Sequence, residues 1–175
     1  MKITSSREVY RCRIFHVTED HAVDAKTKFE IKRSVVRHGG SAVMMAVDDR
    51  KRILLVRQYR LPAARYLWEL PAGTVDPGEK PLQTARRELI EETGYRARTW
   101  RKLASFFVSP GYVTERMTIY LATNLIAGKA TPMDDESIEA RWFTAPEAAK
   151  LIRTGTIDDA KTIIGFLAWR NGPIG

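Results

Sequence analysis

The 175-residue chain contains one cysteine, three histidines and no apolar run long enough to span a membrane. Because Cys12 has no second cysteine to pair with, an internal disulfide and a cysteine-based zinc site are both excluded. The histidines His16, His21 and His38 lack metal-ligand spacing, so we expect structural or surface roles for them. A transmembrane stretch of about 20 apolar residues and the apolar segment of a signal peptide are both missing. We therefore expect a cytoplasmic protein without a membrane partner.

Basic side chains outnumber acidic ones, with 29 Lys and Arg against 21 Asp and Glu and a formal net charge of +8. This excess favours an anionic partner, either nucleic acid or a small phosphorylated substrate. Neither a helix-turn-helix nor an aromatic RNA-binding pattern is present, so a nucleic-acid partner is not expected. No repeat, low-complexity tract or long linker divides the chain, and its length fits one domain.

Apolar and alternating stretches predict strands over much of the chain. The predicted strands cover residues 7–16, 27–36, 41–49, 52–60, 65–70, 102–108, 116–125 and 138–144. A polar connection around TEDHAVDAKT is expected to join the first two. The predicted helices cover residues 81–93, 145–155 and 157–172. Mixed strands with a few helices favour an α/β or α+β sandwich over a regular βαβ repeat.

The helix predicted over residues 81–93 carries both an apolar stripe and a carboxylate cluster. The stripe, at helical spacing, comprises Leu82, Ala85 and Leu89. Glu88, Glu91 and Glu92 gather on another sector near the C-terminal end, where they repel one another and face the negative end of the helix dipole. Arg87 relieves part of this repulsion, and an oxygen-binding divalent cation would relieve more. On spacing alone, an ordinary solvated face remains the alternative.

The segment from Gly73 to Tyr95 resembles the signature of the Nudix hydrolases. Gly73 is followed after five residues by Glu79, and after seven more by RELIEETGY. The resemblance implies a Nudix-type α/β/α sandwich with a mixed sheet, in which the signature forms a loop, a helix and a loop. It also implies hydrolysis of a nucleoside diphosphate linked to another group, with Mg²⁺ or Mn²⁺ as cofactor. The corresponding division is an N-terminal antiparallel strand subdomain over residues 1–38 and a hydrolase domain over residues 39–175.

The same resemblance assigns roles within the signature. The implied metal ligands, the first two being the principal ones, are Glu88, Glu92, Glu91 and the backbone carbonyl of Ala72. Arg87, supported by Glu79, orients the glutamates and counts with Glu91 among the catalytic residues. The chemistry agrees, because Mg²⁺ prefers carboxylates, water and substrate oxygens as ligands. A diphosphate in turn needs cations that screen its charge from the attacking water.

Segments outside the signature resemble the ADP-ribose pyrophosphatase branch of the family. These segments are VRQYR, LWELPAG, SPGYVTER and GTIDDAKTIIGFLAW, so that the resemblance spans roughly residues 41–170. It implies that Arg60 grips the substrate phosphates, that Glu115 contacts the terminal ribose, and that Pro110 and Glu69 belong to the substrate site. Solvent-facing roles for Arg60 and Glu115 are the alternatives. The implied substrate is ADP-ribose; the alternatives are another nucleotide sugar or dinucleotide, or nucleotide binding without catalysis.

A base that takes a proton from water is expected on the loop TPMDDESIEA. In the branch it resembles, an acidic residue of this loop reaches the metal-bound water when the loop closes. Glu136 is the first choice as base or metal ligand, and Asp134 and Glu139 are the rivals. A polar loop without a catalytic role is the alternative.

The adenine end of the substrate is expected to stack on an aromatic ring. The candidates are Phe15, Phe29, Tyr66 and Trp68, although core packing is favoured for each. The resemblance also implies a homodimer formed through the N-terminal strands.

Overall fold

The computed structural model describes residues 1–130 and 138–174, and the chain forms two compact units. Unit 1 comprises Met1–Gly40 and Phe106–Arg116, and unit 2 comprises Ser41–Ser105 and Met117–Gly175. No helix in the described part of the chain is long and apolar enough to cross a membrane.

Unit 1 contains a three-stranded antiparallel sheet in the order β1-β2-β3. Its strands are β1 (Lys2–Arg11), β2 (Phe15–Val23) and β3 (Glu30–His38). The prediction of a polar connection around residues 18–27 is wrong, because most of that stretch is β2. Its polar side chains pair across the sheet: Asp20 accepts a hydrogen bond from Ser6 at 2.6 Å, and Arg7 pairs with Glu19 at 2.6 Å. Cross-strand polar pairs stabilise a strand that lacks an apolar face.

Unit 2 contains two sheets, in the orders β10-β5-β6 and β7-β4-β9-β8. Their strands are β4 (Ser41–Ala46), β5 (Arg52–Arg60), β6 (Arg65–Glu69), β7 (Ala72–Thr74), β8 (Arg96–Phe107), β9 (Arg116–Ile126) and β10 (Glu139–Thr144). Strand β4 runs parallel to β9 and antiparallel to β7. A 3₁₀ turn follows β5 at Leu61–Ala63. The helices are α1 (Pro81–Thr93), α2 (Ala145–Arg153) and α3 (Ala160–Asn171).

Strand β4 is buried on both faces and forms the centre of the layers of unit 2. Ala42, Met44 and Ala46 pack with residues of α1, including Ala85 and Leu89. Met45 lies on the opposite face and lines a small cavity together with residues of α2 and α3. Helices therefore cover both sides of the sheet layer, which confirms the predicted α/β/α sandwich.

Several element boundaries differ from the predicted ones: β1 begins at Lys2 rather than at residue 7, β3 begins at Glu30 rather than at residue 27, and the short strand β7 was not predicted. Strand β8 begins at Arg96 rather than near residue 102. Its first half was not predicted because it is largely exposed and polar and lacks the alternation that indicates a strand. Helix α3 begins after Asp159, whose carboxylate accepts a hydrogen bond from the backbone N–H of Thr162 at 3.0 Å. Ile157, the predicted first residue, is buried outside the helix. An N-cap carboxylate thus sets the start of this helix more strongly than the apolar pattern does.

Candidate active site

The helix of the carboxylate cluster begins and ends where the sequence predicts. Pro81 is its first residue, and the backbone N–H of Lys80 donates to the side-chain oxygen of Gln83 at 2.8 Å. Gly94 ends the helix with a φ of +75°, a left-handed conformation that glycine adopts without strain, and its N–H donates to the Ile90 carbonyl at 2.8 Å. The signature therefore forms β7, a loop and α1, with the glutamates at the far end of the helix.

Four carboxylates of the signature surround the Arg87 guanidinium. Its guanidinium lies 2.7 Å from Glu88, 3.0 Å from Glu91, 3.1 Å from Glu79 and 3.4 Å from Asp76. Hydrogen bonding to Glu79 and the charge of Glu88 raise the pKa of Arg87. Hydrogen bonds from Arg87 and Thr84 lower the pKa of Glu79. The arginine stays charged throughout the working pH range, and it offsets much of the repulsion among these acids.

The carboxylate of Glu88 lies directly against the backbone of β7. A Cβ atom on Gly73 would come within 2.1 Å of the Glu88 carboxyl group, so no side chain fits at position 73 without displacing it. Glu88 and Glu92 are only 8% and 6% exposed, and Glu91 is half-buried. An ordinary solvated face is therefore the wrong interpretation for Glu88 and Glu92.

Within the two described ranges, no three carboxylate, imidazole or thiol side chains converge on one point as a metal-binding group. Glu88 and Glu91 are instead each hydrogen-bonded to Arg87. The donor chemistry fits a divalent cation, because three carboxylates share one end of α1 and Glu88 lies beside the backbone that includes the Ala72 carbonyl.

A second charged cluster joins the end of β5, the end of β6 and the start of α3. The Arg60 guanidinium donates from Nε to Oε1 of Glu69 at 2.7 Å and from Nη2 to Oε2 at 3.0 Å. Lys161 also donates to Oε2 of Glu69, and it lies 3.0 Å from Asp159. Burial lowers the pKa of Arg60, but its hydrogen bond to Glu69 and the charges of Glu69, Glu92 and Asp159 outweigh this and leave the pKa raised.

The predicted substrate residues of this cluster differ in accessibility. The Glu69 side chain is 1% exposed, whereas that of Arg60 is 40% exposed. The charge of Glu92 helps to raise the pKa of Arg60, so this arginine is electrostatically coupled to the carboxylate cluster of α1. Lys161 was not predicted from the sequence: the segment IDDAKT indicates an N-cap aspartate at Asp159, but it does not indicate that Lys161 bonds to Glu69.

Comparison with known proteins identifies the family. The model of the NUDIX domain matches residues 37–165. The chain belongs to the NUDIX family. An ADP-ribose pyrophosphatase of Bacillus subtilis is 40% identical over 133 residues, which are 75% of this chain and 72% of that protein. An ADP-ribose pyrophosphatase of Mycobacterium tuberculosis is 39% identical over 141 residues, which are 79% of this chain and 68% of that protein.

A solved structure described as an ADP compounds hydrolase has the same fold. It superposes with a TM-score of 0.81 at 23% identity, and the match covers 97% of this chain and 91% of the other. The Nudix-type fold predicted from the sequence is therefore confirmed.

Two further residues implied by the Nudix resemblance, Pro110 and Glu115, belong to unit 1. Pro110 is exposed in a turn that the N–H of Tyr112 closes by donating to the Ser109 carbonyl at 3.2 Å. Glu115 is half-buried, and its carboxylate lies 3.9 Å from Nδ1 of His38. Their substrate roles stay predictions.

Of the candidates for the base that takes a proton from water, Asp134 and Glu136 lie outside the described residues. Their rival Glu139 is exposed at the start of β10, where its carboxylate lies 3.4 Å from Arg57. The chain before the loop passes the end of α1: a Cβ on Gly94 would lie 2.8 Å from the Gly128 carbonyl and 2.7 Å from the Ala130 nitrogen. Residues 128–130 therefore lie beside the end of the helix that carries the glutamates.

Core packing is the wrong expectation for two of the four candidate stacking rings. Phe29 and Tyr66 are 62% and 52% exposed, Phe29 just before β3 and Tyr66 on the outer strand β6. Phe15 and Trp68 are half-buried, and Trp68 meets Phe143 edge-on at 5.0 Å. Phe29 lies outside the strands and Tyr66 lies on an edge strand, so strand alternation alone does not show which of these rings are buried.

Proposed function

We propose that this Nudix pyrophosphohydrolase cleaves the diphosphate bond of ADP-ribose with Mg²⁺ or Mn²⁺, giving AMP and ribose 5-phosphate. The observation that carries the proposal is the pair of buried glutamates, Glu88 and Glu92, on a helix where Arg87 is paired with Glu88. The charge of Glu92 also raises the pKa of Arg60. Two relatives at 40% and 39% identity that are named ADP-ribose pyrophosphatases support the substrate.

The divalent cation of this reaction supplies charge screening for the diphosphate and a more acidic water. Glu88, Glu91 and Glu92 would hold it, with the Ala72 carbonyl as a further ligand, and Arg87 sets the orientation of the glutamates. Arg60 binds the phosphates: Glu69 occupies one edge of its guanidinium, through Nε and Nη2, and the Nη1 edge points away from Glu69. A planar guanidinium held in this way suits a phosphate with two acceptor oxygens.

The proton acceptor and the ribose contact belong to the same proposal. Glu136 is the first choice as base and Asp134 the second, supported by the position of Gly128 and Ala130, which precede their loop, beside Gly94 at the end of α1. Glu115 and Pro110 keep their predicted roles in substrate binding. Substitution of each acid by its amide, with kcat measured for the loop residues and KM for Glu115→Gln, tests these roles.

A substrate panel tests the proposed function most directly. We expect kcat/KM for ADP-ribose to exceed that for ADP-glucose, GDP-mannose, NADH and dinucleoside polyphosphates, with AMP as the nucleotide product. A higher value for another nucleotide sugar would reassign the substrate within the same chemistry, and nucleotide binding without turnover of any of them would show a binding module. Mass spectrometry after reaction in ¹⁸O water then identifies the phosphorus that water attacks.

The proposal also includes a homodimer formed through the N-terminal strands. Every residue of β1 is exposed in the single chain, among them Ile3, Val9 and Tyr10 at 54%, 45% and 55%. An exposed strand with apolar side chains is a surface that natural proteins usually cover. Light scattering after size exclusion is expected to give twice the 19.9 kDa chain mass, and a monomeric mass at micromolar concentration would contradict this. We place the enzyme in the cytoplasm, which cell fractionation tests.

A further inference from the structure

The cluster around Glu69 contains a lysine that has no role in the signature chemistry. Lys161 is 6% exposed, and its ammonium group donates hydrogen bonds to Glu69 and Asp159. Glu69 lies 92 positions away in the sequence, and Asp159 lies two positions away. A buried charge is costly unless it is paired, so its presence at this place requires a reason beyond helix formation. Methionine or glutamine would form the first turn of α3 about as well.

We propose that Lys161 is a positioning residue for substrate binding, which acts through Glu69 on Arg60. This inference rests on the proposed role of Arg60 toward the diphosphate. The Lys161 side chain is 7% exposed, so it does not itself reach a ligand, whereas the Arg60 side chain is 40% exposed. The Glu69 carboxylate lies between them and accepts hydrogen bonds from both.

The first part of the role is geometric. Glu69 is fully buried and fixes two donors of the Arg60 fork, so any rotation of its carboxylate turns the guanidinium. Lys161 fixes Oε2 of Glu69 from the α3 side, and Asp159 fixes Lys161 in turn. Asp159 is itself held, because it accepts hydrogen bonds from the backbone and side chain of Thr162. The start of α3 thereby sets the direction of the arginine.

The second part of the role is electrostatic. The charges of three carboxylates, Glu69, Glu92 and Asp159, act on Arg60. Without a second cation, these acids would outweigh the arginine and repel a diphosphate. The Lys161 charge is bonded to two of the three and offsets part of their negative charge, so that Arg60 keeps more of its attraction for phosphate. Substitution of the lysine should therefore weaken substrate binding even where the helix stays folded.

Steady-state kinetics of Lys161→Met with ADP-ribose test this role. We expect KM to rise by about 10-fold to 100-fold, as for a misplaced binding group. We expect kcat per folded molecule to stay near that of the wild type, because Arg60 binds the ground state and the transition state alike. The charge-retaining Lys161→Arg should recover part of the loss. Lys150→Met is the matched control, because Lys150 is exposed on α2 of the same unit. If Lys161→Met does not fold, Lys161→Gln serves in its place.

A double-mutant cycle separates positioning from stability. If Lys161 acts through Arg60, then Lys161→Met should change KM little in an Arg60→Ala background. A fall in Tm with unchanged KM, or the same rise in KM with and without Arg60, would overturn the proposal. Calorimetric binding of ADP in the presence of a metal chelator repeats the comparison without turnover. Weaker ADP binding by Lys161→Met would support the role of Lys161 even if ADP-ribose proved not to be the substrate.

Discussion

The tight approach of Glu88 to Gly73 makes Gly73→Ala the sharpest test of the glutamate site. The added Cβ would lie 2.1 Å from the Glu88 carboxyl group, whereas ordinary contacts begin at 3.4 Å. The carboxylate must therefore move by more than about 1 Å, the scale of misplacement that costs about 100-fold in rate. A factor of 100 corresponds to about 2.7 kcal/mol of transition-state stabilisation.

Folding stability should change much less than activity in this variant. Gly73 does not have a left-handed φ, so alanine fits its backbone, and the group it meets is the flexible end of a side chain. We expect thermal unfolding within a few degrees of the wild type. Initial rates of AMP release at saturating metal give kcat, and calorimetric titration with Mn²⁺ gives the metal affinity, which should also weaken. Thr74→Ala is the matched control, because Thr74 is the exposed neighbour on the same strand.

Unchanged kcat and Mn²⁺ affinity in a folded Gly73→Ala protein would refute this reasoning. That result would mean that Glu88 works from a position other than the one it occupies beside β7. A loss of activity accompanied by an equal loss in Thr74→Ala would point to a general disturbance of β7.

Three further predictions follow from the same structure. Glu92→Gln should fold but lose most of its metal-dependent hydrolysis, since the amide lacks the charge of the carboxylate; unchanged turnover with Mg²⁺ would contradict the metal assignment. Arg87→Met should lower both Tm and kcat, because the carboxylates that are paired with Arg87 in the wild type would then repel one another. A kcat at the wild-type level would contradict the orienting role of Arg87. The capping box of α2 should be sensitive to pH. Backbone and side-chain hydrogen bonds from Thr144 lower the pKa of Glu147 from 4.5, so its contribution to stability is complete above pH 4.5 and is lost as the pH falls through the lowered pKa. The difference in Tm between wild type and Glu147→Ala should therefore shrink below pH 4.5, and a constant difference would contradict this.

The sequence predicts best what is decided by residues close together in the chain. The bounds of α1 follow from Pro81 and Gly94, and the gathering of its glutamates follows from helical spacing, because both depend on neighbours within two turns. The placement of central strands follows from apolar runs such as SAVMMA, which is fully buried.

The features that sequence reasoning missed depend on distant partners. Strand β2 is polar and becomes a strand through pairs such as Arg7 with Glu19, which lie on different strands. Lys161 reaches Glu69 across 92 residues, so nothing near it in the sequence indicates that it is buried beside a carboxylate. The close approach of Gly73 to Glu88 likewise requires the packing of α1 on β7.

The roles proposed for Arg87 and Arg60 differ although both residues are arginines, and the difference follows from their hydrogen-bond partners. All three nitrogens of Arg87 donate to carboxylates of its own signature segment, so this guanidinium is committed to holding the acids in place. Arg60 gives only its Nε and Nη2 edge to Glu69 and keeps a more exposed side chain. An arginine saturated by acids organises them, whereas one anchored along a single edge retains both charge and donors for a ligand. The number of donors that the surrounding carboxylates occupy, and not the residue type, therefore distinguishes the proposed ordering arginine from the proposed substrate-binding one. By this reasoning, Lys161 contributes to the proposed substrate binding because it also donates to Glu69. It offsets part of the charge of that carboxylate, so that Arg60 keeps more of its attraction for phosphate.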